Sequence, residues 1–340
     1  MAGTVIVGGG MLGLTLARLL RARGHDPVVL ERSPAGGHQK RPFMLGFQGF
    51  EALDELGLLA RVRNAGWDIA PGADGMPVAI CIEVGLLLGA LAEGVPVRHE
   101  HTVTGLVREG ERVVGVTTEA PEGPGAVEAD LVVACDGVRS PVRAMAGLEA
   151  EVSSLADATL TFMSPAIIDR SFSMRYLSDG GQLGLLGWPQ GSAGWRTIDR
   201  VGRDAALAPG VEAFRRSFAH LMPEAAPALE GVTSLDQLLY QEPAVLRAAR
   251  WWTPGVVLIG DSAHFFGPET GVGAALGLGD AHALATAIDR HPGDPDAACA
   301  AYETWRGPVI RPYEAADPAA GRMAVSNIDR PPEERWPPVG

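Results

Sequence analysis

Gly8, Gly10 and Gly13 stand at G-x-G-x-x-G spacing directly after the β-branched run Val5, Ile6 and Val7. Leu12, Leu16, Leu19 and Leu20 then recur at helical spacing as far as Gly24, and Pro27 to Leu30 reads as a second strand ending in the acid Glu31. Strand, glycine turn, helix, strand and acid in that order predict the first βαβ unit of a dinucleotide-binding sheet. The first glycine lets the chain turn out of the strand, the second lets backbone approach a pyrophosphate, and the third lets helix and strand pack closely. The helix start offers free N–H groups and a positive dipole end to phosphates, and the carboxylate of Glu31 suits ribose hydroxyls.

A chain of 340 residues exceeds one compact core and suits two domains at about 150 residues each. A formal net charge of -13 argues against a nucleic-acid binder, which normally shows a basic face, and leaves small-molecule chemistry as the default. Lys40 is the single lysine, so arginine carries nearly all the positive charge. Cys81, Cys135 and Cys299 lack C-x-x-C spacing and read as reduced thiols of a cytoplasmic protein, with no metal site. No charged start and apolar run precede the first strand, and runs such as Val84 to Leu91 are too short to span a bilayer, so neither secretion nor a membrane is expected.

Along the chain, Ser33 to Arg41 reads as a loop, Phe50, Leu53, Leu56 and Leu59 as one helix face, and Gly66 to Pro77 as a glycine- and proline-rich connection. Ile80 to Leu91 reads as a strand passing into a helix. Val95 to His99, Val103 to Arg108 and Val113 to Thr118 read as an inserted β-meander. Ala129 to Ala134 is a further parallel strand that delivers Asp136 and Gly137 to the ligand edge of the sheet. From residue 151 to 250 short strands predominate (Phe172 to Leu177, Gln182 to Trp188, Trp195 to Asp199), with a helix over Val211 to Leu221. Val256 to Ile259 then returns as a buried strand ending in Gly260 and Asp261, followed by Pro268, Gly271, Val272 and Gly273 and a long helix; Tyr302 to Tyr313 reads as one more helix. The expected architecture is α/β: a discontinuous Rossmann-like domain from 1–150 and 251–325 carrying the meander, an α+β substrate domain with an antiparallel sheet from 151–250, and a flexible tail from 326–340.

Three ordered segments, GGGMLG at the start, CDGVRSPVR in the middle and GDSAHFFGPETGVGAALGLGDAHALA late, together resemble the single-component FAD-dependent aromatic hydroxylases, the group A flavoprotein monooxygenases whose type member is para-hydroxybenzoate hydroxylase. The resemblance implies a glutathione reductase-type FAD domain. It assigns Gly8, Gly10, Gly13 and Glu31 to the ADP half of FAD, with Met11, Leu12 and Arg32 as further cofactor-binding residues, and Asp136 and Gly137 to the second fingerprint near the pyrophosphate, with Arg139 and Arg143 adding positive charge there. Gly260 and Asp261 would meet the ribityl chain, and Pro268, Gly271, Val272 and Gly273 would pass beside the isoalloxazine. The helix beginning there would aim its positive end at the flavin pyrimidine. His264 reads as a packing or supporting residue. Family members often carry a cofactor-contacting arginine where this chain reads Cys81, Ile82, Glu83, Val84; Arg41 and Gln48 are the candidates to replace it. Ala275 stands where an asparagine is common.

By that resemblance NADH or NADPH, bound transiently, reduces FAD, and O2 forms a C4a-hydroperoxyflavin that hydroxylates an aromatic or polyketide-like molecule. Related outcomes are Baeyer-Villiger oxidation, epoxidation, or reduction and dehydrogenation without oxygen transfer, and a degenerate flavin-fold binding protein is the non-enzyme alternative. Halogenation is disfavoured by the absence of W-x-W-x-x-P. Substrate-side candidates are Arg175, Tyr176, Trp188, Trp195 and Arg196 on the second sheet; the expected partners are a hydrophobic or aromatic small molecule and O2, in a monomer or homodimer.

Overall fold

Val5, Ile6 and Val7 lie at the middle of a six-stranded sheet in a computed structural model that describes residues 3–36, 42–71, 76–154, 157–168, 172–177, 181–242, 244–267 and 271–315. The strand order is Trp252–Thr253, Val256–Leu258, Leu131–Ala134, Thr4–Val7, Val28–Leu30 and Val97–Arg98. All neighbours are parallel except the first pair, a hairpin. In register, Val5 lies opposite both Val132 and Val28. Leu131–Ala134 and Val256–Leu258 are buried at every position, as strands covered on both faces must be.

Helix Met11–Ala22 covers one face with Leu16, Leu19 and Leu20, together with the long helices Gly273–Arg290 and Pro295–Ala315. The β-meander covers the other, sending Val103, Val113 and Val116 into the same core. Its strands are Thr102–Glu109, Arg112–Ala120 and Gly123–Glu128. This corrects the expected meander: Val97–Arg98 belongs to the edge of the parallel sheet instead, and the true third strand is exposed at most positions, so no apolar alternation marked it.

Two further departures lie near the site. The expected single helix around Phe50 divides into Phe50–Glu55 and Leu59–Ala65, because Gly57 has a φ of 66°. Pro42–Gly46, just past the expected loop, and Trp67–Pro71, inside the glycine- and proline-rich connection, are strands that flank Pro77–Glu83 in a three-stranded sheet. That small sheet packs Leu45, Ile80 and Ile82 inward, against Leu53, Leu87 and Leu278.

The five-stranded antiparallel sheet runs in the order Phe172–Tyr176, Gln182–Trp188, Gly191–Asp199, Asp157–Ser164 and Leu239–Gln241. Helix Val211–Leu221 lays Phe214 and Phe218 over one face, where Phe162 meets Phe218 edge-on at 5.2 Å. The opposite face turns toward Trp67, Ile69 and Cys81 of the small sheet. Asp157–Ser164, the second strand from one edge, escaped the sequence reading.

Candidate cofactor and substrate site

Four strand ends meet along the carboxyl edge of the parallel sheet. Val7 runs into Gly8, Leu30 into Glu31, Ala134 into Cys135 and Asp136, and Leu258 into Gly260 and Asp261. Open α/β sheets present ligands with their binding crevice at this edge. The topology therefore brings together the three segments singled out in the sequence.

The glycine turn has the geometry its spacing predicts. Gly8 has a φ of 112° and passes so close to the Cys135 carbonyl that a side chain would collide with it. A methyl on Gly13 would overlap the Gly8 carbonyl oxygen, so helix and turn touch backbone to backbone. Gly10 differs: it is exposed, and a Cβ there would meet nothing within 4 Å. The helix it opens has no side-chain cap and no acid in its first turn, which leaves the N-terminal charge uncompensated and accessible to a phosphate.

Glu31 Oε2 accepts the Gly9 N–H at 2.7 Å and Oε1 accepts the Ser33 N–H at 2.8 Å. Burial works against its charge, but the Ser33 and Gly9 N–H groups, the Ser33 side chain and Arg32 together outweigh it and hold the carboxyl below its usual range. Each oxygen keeps a lone pair for a ribose hydroxyl. Arg32, beside it, is exposed.

Asp136 Oδ2 accepts the Val142 N–H at 3.2 Å, while Oδ1 is buried with no partner. Burial pushes its pKa upward, partly offset by Ser140, the Val142 N–H and Arg143. An orphaned acceptor at the strand edge beside Gly137, whose absent side chain leaves open space, fits a ligand that brings a donor. Arg143 has a different task from the expected phosphate charge. Its guanidinium donates to the carbonyls of Ser262 and Val138, both at 2.9 Å, and so ties the middle motif to the late one; Arg139 is exposed.

The late turn is anchored from several directions. Ser262 Oγ donates to the Ala134 carbonyl at 2.7 Å, and Gly260 N–H donates to Asp280 Oδ2 at 3.0 Å. Asp280 is fully buried between His264, 2.7 Å away, and Arg306, 2.7 Å away. Burial opposes its charge, yet His264 and Arg306 hold its carboxyl below the normal range. Asp280, Arg306 and Ser262 were not singled out in the sequence; an aspartate inside the apolar helix run Ala275 to Leu284 was the available signal. His264 accordingly packs and supports, between Trp251 and Phe266.

Asp261 projects from this turn toward Gly273, the first residue of the long helix, with Oδ1 4.0 Å from the position a Cβ on Gly273 would take. Burial pushes its pKa up to about 6, His264 pulls it down and Asp280 pushes it up. Helix Gly273–Arg290 begins after Val272 with no side-chain cap and no acid in its first turn, a second uncompensated positive end. Ala275 packs against Gly46 and Gly49, so the small sheet rests on that helix start. The Leu12 methyl sits against both Gly260 and Gly277, wedging the first helix into the late motif. Arg41 and Pro268 lie outside the described residues. The residues present fit a dinucleotide-type cofactor: an open Gly10, an unpartnered Asp136 oxygen and two uncapped helix starts converge on one edge.

The second sheet sorts the substrate-side candidates by face. Trp188 is buried against Cys81, Leu186 and Ala193, and Trp195 shares that face, whereas Tyr176 stands exposed at the edge strand. Arg175 and Arg196 are a correction, because both register with Leu183 on the opposite, helix-covered face. Arg175 donates to the Leu221 carbonyl and pairs with Glu224 at 2.8 Å, and Arg196 donates to Ser217 Oγ at 2.8 Å.

Comparison with known proteins gives the chain a family and a fold. The family described as "FAD binding domain" matches residues 1–71 and 82–314. The chain is 31% identical over 337 residues to 3-amino-4-hydroxybenzoate 2-monooxygenase of Streptomyces cremeus, covering 89% of this chain and 82% of that one. It is 27% identical over 310 residues to rifampicin monooxygenase of Streptomyces venezuelae, covering 84% of this chain but only 63% of that protein's length. Among solved structures, P. aeruginosa PqsL in complex with 2-aminobenzoylacetate superposes with a TM-score of 0.78 at 22% identity, covering 97% of each chain, and shows the same fold. No helix among the described residues is long and apolar enough to cross a membrane.

Proposed function

Because this chain belongs to the FAD binding domain family of flavoprotein monooxygenases, we propose that it uses FAD, NADH or NADPH and O2 to hydroxylate an aromatic or polyketide-like small molecule. The observation that carries the reading is the convergence of Gly10, Glu31, Asp136 and Asp261 on one sheet edge. When bound, FAD supplies the electron transfer and the activation of O2; the protein binds, orients and shields it.

In this reading the Gly10 turn and the first helix start hold the pyrophosphate, and Glu31 accepts from the adenosine ribose. Asp136 takes a donor through its free Oδ1, and Asp261 accepts from the ribityl chain. The uncapped start of helix Gly273–Arg290 directs its positive end at the flavin ring, favouring negative charge there. The late turn is held rigid by Asp280, Ser262 and Arg143, so Asp261 is positioned before the cofactor arrives. The curated relatives act on 3-amino-4-hydroxybenzoate and on rifampicin, which supports an aromatic or larger ring-bearing substrate.

The test is oxygen incorporation. FAD-loaded protein supplied with NADH or NADPH, heavy-isotope O2 and a panel of aromatic compounds is expected to yield a product carrying one labelled oxygen. Nicotinamide oxidation that gives only hydrogen peroxide or reduced flavin across the panel would replace this reading with a reductase, and a ring-expanded lactone product would replace hydroxylation with Baeyer-Villiger chemistry.

A further inference from the structure

The register of the five-stranded sheet divides its side chains without exception near the centre. Phe172, Met174, Leu186, Trp188, Ala193 and Trp195 share the face turned to the small sheet. Trp195 lies across that face over Gly184, where any side chain would collide with the indole. The ring thus occupies the space that glycine leaves free. Phe172 stands beside it, with centroids 6.1 Å apart and planes inclined by 34°. Both rings are half-buried, so each keeps ring surface that a flat molecule can cover.

The polar resources of this wall are neutral. The Trp188 indole N–H is buried and has no acceptor among the described residues, which leaves one uncharged donor seeking an oxygen. The two arginines of the same sheet face the other way and already have partners, Arg175 in Glu224 and Arg196 in Ser217. A carboxylate set against the wall would lose hydration with no cation from this sheet to replace it, whereas a ring loses nothing and gains stacking.

Resting on the monooxygenase reading, we infer that Trp195 and Phe172 form the shelf that takes the substrate ring, and that they select an uncharged planar aromatic bearing a carbonyl or hydroxyl oxygen over an aromatic carboxylate. Trp195 and Phe172 supply the stacking surface, and Trp188 offers its N–H to the oxygen. Gly184 is part of the specificity, because its missing side chain lets the indole lie down. The small sheet, resting on the start of helix Gly273–Arg290 and packed against this wall, connects the shelf to the cofactor end of the site.

Two probes of the same ring size test it: 2-naphthol, neutral at neutral pH, and 2-naphthoate, charged. Isothermal titration of the FAD-loaded protein is expected to show 2-naphthol binding at least about tenfold more tightly, and Trp195→Ala is expected to weaken 2-naphthol about tenfold while Trp195→Phe retains most of the affinity. Phe172→Leu supplies an independent loss should Trp195→Ala fail to fold, and Arg196→Ala leaves the preference between the probes unchanged. Equal or tighter binding of 2-naphthoate, no binding of either probe, or 2-naphthol binding indifferent to both ring replacements would overturn the shelf. The readout is binding, so it stands apart from the oxygenation test: tight, Trp195-dependent binding together with no labelled product from any compound of the panel would sink the monooxygenase reading and leave the shelf in place.

Discussion

Asp280 Oδ2 lies 2.7 Å from His264 Nε2, and neither side chain is more than 1% exposed. The same oxygen accepts the Gly260 N–H, and the other oxygen of Asp280 holds Arg306. One carboxylate, itself fully buried, therefore fixes the turn that presents Asp261. Removing its charge leaves the Arg306 guanidinium in a mostly buried place with no counter-ion. Asp280→Asn is expected to destabilise the protein by about 3 kcal/mol, read by urea unfolding, and more than His264→Gln does. Because the folded carboxyl has a depressed pKa, its contribution is present above the unfolded value of about 4 and is lost as pH falls through the folded one.

Asp261 has the opposite sign. Its folded pKa is raised to about 6, so between pH about 4 and 6 the folded state holds a proton the unfolded chain has released. Stability of the cofactor-free protein from this group falls as pH rises through that window and is level above it. Asp261→Asn is expected to stabilise the cofactor-free protein at neutral pH by about 1 to 3 kcal/mol, with the gain gone below pH about 4, while weakening FAD binding. A thermal-unfolding series across pH, paired with flavin titration, checks both; equal stability of the two proteins at neutral pH would refute it.

Two glycines of one motif separate binding from folding. Gly10→Ala adds a methyl to open space at the phosphate edge, so stability is expected to change by less than about 1 kcal/mol while FAD affinity drops at least about tenfold. Gly13→Ala drives the methyl into the Gly8 carbonyl and is expected to cost about 2 kcal/mol or more of stability before any ligand is added. Unfolding midpoints set beside flavin titrations of the two variants distinguish these outcomes.

Arg175 is a surface pair rather than a substrate anchor. Its ion pair with Glu224 has side chains 42% and 36% exposed, which limits Arg175→Ala to a loss of about 1 kcal/mol or less. The Michaelis constant for the substrate, once one is found, is expected to stay within about twofold of the parent. A tenfold rise would return Arg175 to the binding wall.

The parts of the fold legible in the sequence are those with a local signature. Val5 to Gly13, Ala129 to Gly137 and Val256 to Asp261 each combine an apolar strand with a turn, and all three take their place at the sheet edge. The strands Pro42–Gly46 and Gly123–Glu128 carry no comparable mark, since their partners are set by tertiary packing; Asp157–Ser164 carries one, the alternation that buries Ala158, Leu160 and Phe162, and the sequence reading passed over it. The site divides in the same way. The glycines are required by backbone geometry that sequence spacing reports, whereas Arg175 and Arg196 needed a register that spacing does not contain. Asp280 could not be paired with His264 and Arg306 before the helix carrying it was placed.

The position of Val256–Leu258 beside Leu131–Ala134 has a further consequence, for synthesis on the ribosome. Leu131–Ala134 is apolar on both faces, and its outer edge gains its partner only after more than a hundred further residues have emerged. At about 5–20 residues per second that edge waits for several seconds or longer, a time in which other nascent chains can pair with it. A chain truncated before Val256 would carry that open sheet edge permanently.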